Sequence, residues 1–300
     1  MKIGVVLPIA EGETKETPRY SVIRDLGLLA ERNGFDSIWI YDHLLFRRGD
    51  NPTVGIWEAW TLLTALAEAT ERVEIGSIVL CSPFRNPALL AKMADTLDEV
   101  SNGRLIFGIG AGWHEPEFTA FGYPFDHLVD RFEEALKIIN PLLKTSKVDF
   151  QGTYSSANNG ELRPRGPRPD GPPILVASFK PRMLRLTAQY ADMWNTAWLG
   201  NADNLAARIE EFHAACDEVG RPRNEVDITV GLNVAYPEPG DTPSEPVDPT
   251  KTLTGTPEDM AAEFKRYESM GVGHLICGVD PNTESGISRF AEALAAYRAL

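Results

Sequence analysis

Cysteine is scarce, with only Cys81, Cys216 and Cys277 in 300 residues. They are too few and too far apart for a disulfide framework, and none forms the close pair that binds zinc. A reducing cytoplasm is the expected setting. Basic residues are also in deficit: 29 Lys and Arg face 43 Asp and Glu, a formal charge of -14, and no basic stripe interrupts the acidic excess. Nucleic-acid and anionic-membrane partners are therefore not expected. Long apolar runs are missing too. None approaches the ~18 residues of a membrane span, and the stretch from Met1 to Pro8 is too short for a signal-peptide core. With five histidines and no local ligand spacing among His, Cys, Asp and Glu, no metal site is expected.

What is present is ordinary globular material, 43% hydrophobic and 24% charged, enough to build a full core. Strand-like and helix-like segments alternate along the chain, the mark of a parallel sheet covered by helices. Strands are predicted at Ile3 to Leu7, Ser37 to Tyr41, Val73 to Leu80, Arg104 to Ile109, Pro173 to Ala177, Asp192 to Thr196, Ile228 to Val234 and His274 to Gly278. Helices are predicted at Tyr20 to Arg32, Trp57 to Ala69, Pro87 to Val100, Leu128 to Leu143, Pro181 to Tyr190, Asn204 to Val219, Pro257 to Met270 and Ser285 to Ala299. This α/β pattern is expected to close as a single (β/α)8 TIM barrel over residues 1–300, with a doubly wound open sheet as the rival. Insertion loops are expected at about residues 144–172 and 236–254. The first reads as a polar loop, and the second, rich in Pro, Asp and Thr, reads as a mobile lid.

In such a barrel the residues just after each strand converge on one rim, however distant in sequence. His43 follows the second strand beside Asp42, and its imidazole suits a proton carrier better than a turn cap. His114 divides evenly between substrate pocket and plain surface. The glycines Gly108, Gly110 and Gly112 superficially match a dinucleotide fingerprint, but Trp113 and His114 follow where the third glycine and a helix belong. They suit close approach to a flat ligand, with Trp113 as an aromatic wall. Ser178-Phe179-Lys180-Pro181 opens a helix whose free N–H groups suit a phosphate, with Lys180 and Arg182 as added charge.

Asp42-His43, GSIVLCSPFRNPALLAK (Gly76 to Lys92), LDEVSNGRLIFGIGAGWHEPEF (Leu97 to Phe118) and YADMWNTAW (Tyr190 to Trp198) resemble, collinearly, the bacterial luciferase-like superfamily. The likeness is greatest to the branch that uses coenzyme F-420 (F420), an 8-hydroxy-5-deazaflavin. The resemblance implies an oxidoreductase that exchanges hydride with a small organic substrate. His43 would stand near the reactive carbon of the cofactor, and the Ile78-Val79 bond would be cis, forming a bulge behind the ring. Asp42, Cys81, Gly110 and Ala177 would line the cofactor cleft, and Ser178, Phe179 and Lys180 would hold its phosphate. Two positions depart from the family pattern. Phe179-Lys180 replaces glycines in the phosphate loop, and Trp113 replaces the acid carried by sugar-phosphate dehydrogenases. The second departure argues against glucose-6-phosphate as substrate and leaves a less polar pocket of Phe46, Trp113, His114 and Trp198. The resemblance suggests a homodimer. An FMN-dependent monooxygenase of the same fold is the alternative, and a non-catalytic flavin-binding protein is the reading from another class.

Overall fold

The computed structural model describes residues 1–12, 16–49, 51–235 and 248–300. Short apolar runs form the strands β1 (Lys2–Val6), β2 (Ser37–Ile40), β3 (Glu74–Ser77), β4 (Leu105–Gly110), β5 (Ile174–Ala177), β6 (Met193–Leu199), β7 (Asp227–Ala235) and β8 (Val272–Asp280). After a two-residue break β3 resumes as Leu80–Cys81, still parallel to β4. Every neighbouring pair is parallel. The order β5-β6-β7-β8-β1-β2-β3-β4 closes on itself because β4 also pairs with β5. No edge remains, so the open-sheet alternative falls and the TIM barrel stands.

The helices are α1 (Tyr20–Arg32), α2 (Ala59–Ala69), α3 (Pro87–Val100), α4 (Leu128–Thr145), α5 (Pro181–Tyr190), α6 (Leu205–Val219), α7 (Pro257–Ser269) and α8 (Glu284–Ala299). Their starts are written locally. The Asn86 side chain accepts the Leu89 N–H at the entry to α3, where Pro87 needs no hydrogen-bond partner. Thr256 and Asp259 cap α7 reciprocally. Gly34, just past α1, has φ +87°, the left-handed conformation that glycine adopts without penalty.

Three elements differ from the sequence expectations. Glu115–Phe121 is helical, and Leu45–Phe46 pairs antiparallel with Val54–Gly55. The polar stretch expected as a loop contains the strand Ser156–Glu161, antiparallel to Lys147–Gln151. Its composition reads as loop. What holds the turn is Glu134 of α4, whose carboxylate accepts the backbone N–H groups of Thr153, Tyr154 and Ser155 at 2.7–2.8 Å. Of the expected lid, residues 236–247 lie outside the described residues. At its end Leu253 bridges to Val234 of β7.

Trp39 fills the middle of the barrel and is fully buried. It fits because Gly76 faces it: a Cβ there would lie 2.2 Å from the indole ring. Its Nε1–H donates to Ser37 Oγ at 2.7 Å, and Ser37 Oγ shares a hydrogen bond of 2.7 Å with His274 Nε2. The other ring nitrogen of His274, Nδ1, is buried without a partner, and burial pushes the pKa of the imidazole down to about 3. The unfolded chain protonates this imidazole near pH 6.5 while the native state refuses the proton. Stability from this group is therefore complete above about pH 6.5 and is lost as pH falls toward 3, by up to ~1.4 kcal/mol per pH unit. Urea midpoints measured between pH 7.5 and 5 should fall more steeply for the wild type than for His274→Gln. Equal slopes would show that the imidazole is not the group responsible.

Candidate active site

At the C-terminal ends of β2 to β6 lies a cavity of about 720 Å³. From β2 it receives Asp42, His43 and Phe46; from β3, Ile78, Val79 and Cys81; from β4, Gly110 and Trp113. From β5 come Ala177, Ser178, Phe179 and Lys180, and from β6 comes Trp198. Every site residue selected from the sequence lines this cavity except Gly108, His114 and Arg182. The His114 imidazole is buried, with its Nε2 accepting the Arg47 N–H at 3.1 Å. It supports the cavity wall from behind. Burial, helped by nearby His43 and Arg48 and opposed by Glu117, holds its pKa below the ordinary histidine value.

Asp42 is an anchor. Its carboxylate, 2% exposed, accepts the Cys81 N–H at 2.9 Å and both terminal nitrogens of Arg85 at 2.6 and 3.2 Å. Burial alone would lower the Arg85 pKa, but hydrogen bonds and charge from Asp42 and Glu58 outweigh it and the pKa rises. The Cys81 thiol is pushed up by burial and by the carboxylates of Asp42 and Glu117, so it stays a protonated, inert wall. Between β3 and its continuation the Ile78-Val79 bond is cis, as the resemblance implied, and Ala197-Trp198 is a second non-prolyl cis bond. The sequence reading did not anticipate the second.

His43 is held on one side only. Its Nδ1 lies 2.8 Å from Glu117 Oε1, and Glu117 Oε2 accepts the Leu44 N–H at 2.8 Å. A carboxylate accepts and does not donate, so Nδ1 carries a proton, and in the neutral imidazole Nε2 presents a lone pair. Among the described residues Nε2 has no hydrogen-bond partner. Phe46 and Trp113 pack around the ring, with centroids 4.2 and 5.5 Å away. Glu117 escaped sequence reading because it belongs to the unexpected helix and meets His43 across 74 positions. An acid on the first turn of a helix after β4 was the only signal.

Toward β5 the picture is mixed. Ser178 Oγ is buried and donates to Thr187 Oγ1 at 2.7 Å, because the Thr187 hydroxyl gives its own proton to Met183 O. Its hydroxyl is not free for a phosphate. Arg182, expected to add charge, is engaged by Asp130 and Glu133 at 2.6 and 2.8 Å. Lys180 and Arg48 line the cavity, and neither has an ion-pair partner among the described residues. Asn195, within β6, is fully buried in the wall. Its Nδ2 donates to Thr229 Oγ1, which donates to Trp194 O, and its Oδ1 has no partner. The cavity thus offers an apolar slot, two free cations, a buried acceptor without a donor and an imidazole lone pair.

Residues 1–245 match the luciferase-like monooxygenase family. This chain belongs to that family. It is 32% identical over 252 residues to an F420-dependent glucose-6-phosphate dehydrogenase from Microbacterium testaceum (strain StLB037), covering 80% of this chain and 70% of that protein. To the pyrimidine monooxygenase RutA of Rhizobium rhizogenes (strain K84) it is 30% identical over 210 residues, 64% of this chain and 56% of the relative. Among solved structures, an F420-dependent secondary alcohol dehydrogenase in complex with an F420-acetone adduct superposes with TM-score 0.80 at 23% identity, covering 99% of each chain. These place the barrel and its family.

The cavity floor also depends on Gly112, whose φ is +80° and whose added Cβ would lie 2.6 Å from Phe118 Cζ and 2.7 Å from Cys81 Sγ. Gly112→Ala should lower unfolding stability by ~1–3 kcal/mol, read as a lower urea midpoint. An unchanged midpoint would mean that the loop shifts without cost.

Proposed function

We propose that this chain transfers a hydride between coenzyme F420 and a small organic substrate, the cofactor lying in the cavity between β2 and β6. The observation that carries the reading is the His43–Glu117 pair, which fixes one imidazole nitrogen and leaves the other facing a deep apolar slot. The fit to the cofactor rests on the donor set. Lys180, Arg48 and the N–H groups at the start of α5 suit its anionic arm, and Asn195 Oδ1 suits an N–H or O–H of the ligand. F420-dependent enzymes among the family relatives support the same reading.

When bound, the deazaflavin supplies the acceptor or donor of the hydride. The chain's own residues handle the proton. In the oxidising direction His43 Nε2 takes the O–H proton of an alcohol as the C–H pair leaves as hydride, and the electrons of the O–H bond become the second bond of the carbonyl. In the reducing direction the imidazolium returns that proton to oxygen. Glu117 is a positioning residue: it holds the tautomer and balances the charge on the protonated ring. Phe46 and Trp113 exclude water from the reacting end.

We read residues 1–300 as one catalytic domain, since β1 pairs with β8 and joins the two ends of the chain, and the assembly as a homodimer, as the resemblance suggests. A flavin monooxygenase is the second reading, favoured by the RutA relatives. Titration with F420 and with FMN, followed by fluorescence, separates the two: F420 should bind more tightly by an order of magnitude or more, and FMN preference would overturn the proposal. His43→Asn should lower kcat by ~10²- to 10⁴-fold while leaving the F420 Kd nearly unchanged. Glu117→Gln, which keeps an acceptor for Nδ1–H, should lose less than Glu117→Ala, again in kcat and not in Kd.

A further inference from the structure

Beside the large cavity lies a second pocket of about 290 Å³, at the ends of β1, β7 and β8. Tyr41 and Trp198 line both, so the two rings form a shared wall. The side pocket is walled by Leu7 and Pro8 on the β1 side and contains no Lys, Arg, Asp or Glu among its described lining residues. The two free cations, Arg48 and Lys180, line the large cavity only. Asp280, the last residue of β8, places an acid at this end of the barrel.

The pocket has two amides with different roles. Asn233 Nδ2 donates to Lys251 O at 3.1 Å and ties β7 to the following segment. Asn282 Nδ2 donates to Val6 O at 2.8 Å. A backbone carbonyl can only accept, so that bond fixes the amide orientation and makes Oδ1 the free end. This oxygen is buried and has no hydrogen-bond partner. A buried acceptor left without a donor is unfavourable by ~1–3 kcal/mol, and a donor on a ligand relieves it.

We propose that the side pocket receives the non-reacting part of an uncharged substrate and that Asn282 Oδ1 accepts a hydrogen bond from a second hydroxyl on it. Asn282 is thus a specificity-determining residue, and phosphorylated sugars are excluded from this pocket. The proposal rests on the hydride-transfer reading for the site next door and names the class of its organic substrate.

Ligand-observed NMR on the full-length protein, with and without F420, tests it with cyclohexane-1,4-diol, cyclohexanol and glucose 6-phosphate as probes. The diol should bind more tightly than cyclohexanol, and glucose 6-phosphate should neither bind nor displace it. Asn282→Leu should weaken the diol about tenfold, the loss of one hydrogen bond, and leave cyclohexanol unchanged, which also reports that the variant is folded. Asn282→Lys should weaken the diol and gain glucose 6-phosphate. The wild-type comparison stands without either variant. Tighter binding of the sugar phosphate, equal effects of Asn282→Leu on both alcohols, or no binding of either alcohol would overturn the proposal. Diol selectivity in a protein that fails to bind F420 would uphold the pocket and overturn the cofactor reading instead.

Discussion

The site depends on one buried carboxylate. Asp42 reaches from the end of β2 to the backbone of Cys81 and to the guanidinium of Arg85, and so fixes the rim of β2 against the broken end of β3. Removing one member of such a buried pair typically costs ~3–5 kcal/mol, because the other is left charged and unmatched. With Asp42 occupied in this way, the next residue, His43, is carried to the cavity. The β3 break places Ile78 and Val79 in the adjoining wall. Anchor and proton carrier are therefore adjacent in sequence, with different tasks.

A second constraint is steric and acts inside the barrel. A large indole at the centre requires glycine on the facing strand, and Gly76 meets Trp39 where any Cβ would overlap it. The polar chain from Trp39 through Ser37 to His274 then settles beneath the cavity. The same economy of space recurs at the rim, where Gly110 faces Val79 and Gly112 faces Cys81. Side-chain volume removed at these glycines is what leaves the slot open for a flat ligand.

Much of the barrel was legible because its signals are local. The starts of α3 and α5 are marked by Pro87 and Pro181, the end of α1 by Gly34, and each strand by an apolar run shorter than a helix needs. The hairpin at Lys147–Gln151 and Ser156–Glu161 was not legible: SANNGE has no strand pattern, and its order comes from Glu134 on a neighbouring helix. At the site, the rim rule found His43, Trp113 and Trp198 from their places after strands. It gave equal weight to a pocket role for His114, which the fold instead places behind the wall. It also picked Asn195, but it passed over Glu117 and Asn282.

By itself the sequence determined the alternation of strands and helices, the closure they favour, the rim on which chemistry gathers and the family motifs that lie there. Those depend on periodicity, caps and order along the chain. Tertiary structure decided which groups are already engaged and which are free. Arg182 is taken by Asp130 and Glu133, Ser178 by Thr187, and one nitrogen of His43 by Glu117, whereas Asn195 and Asn282 each keep an oxygen without a donor. Hydrogen bonding is a matter of ångströms between residues tens or hundreds of positions apart, and only the folded chain sets those distances.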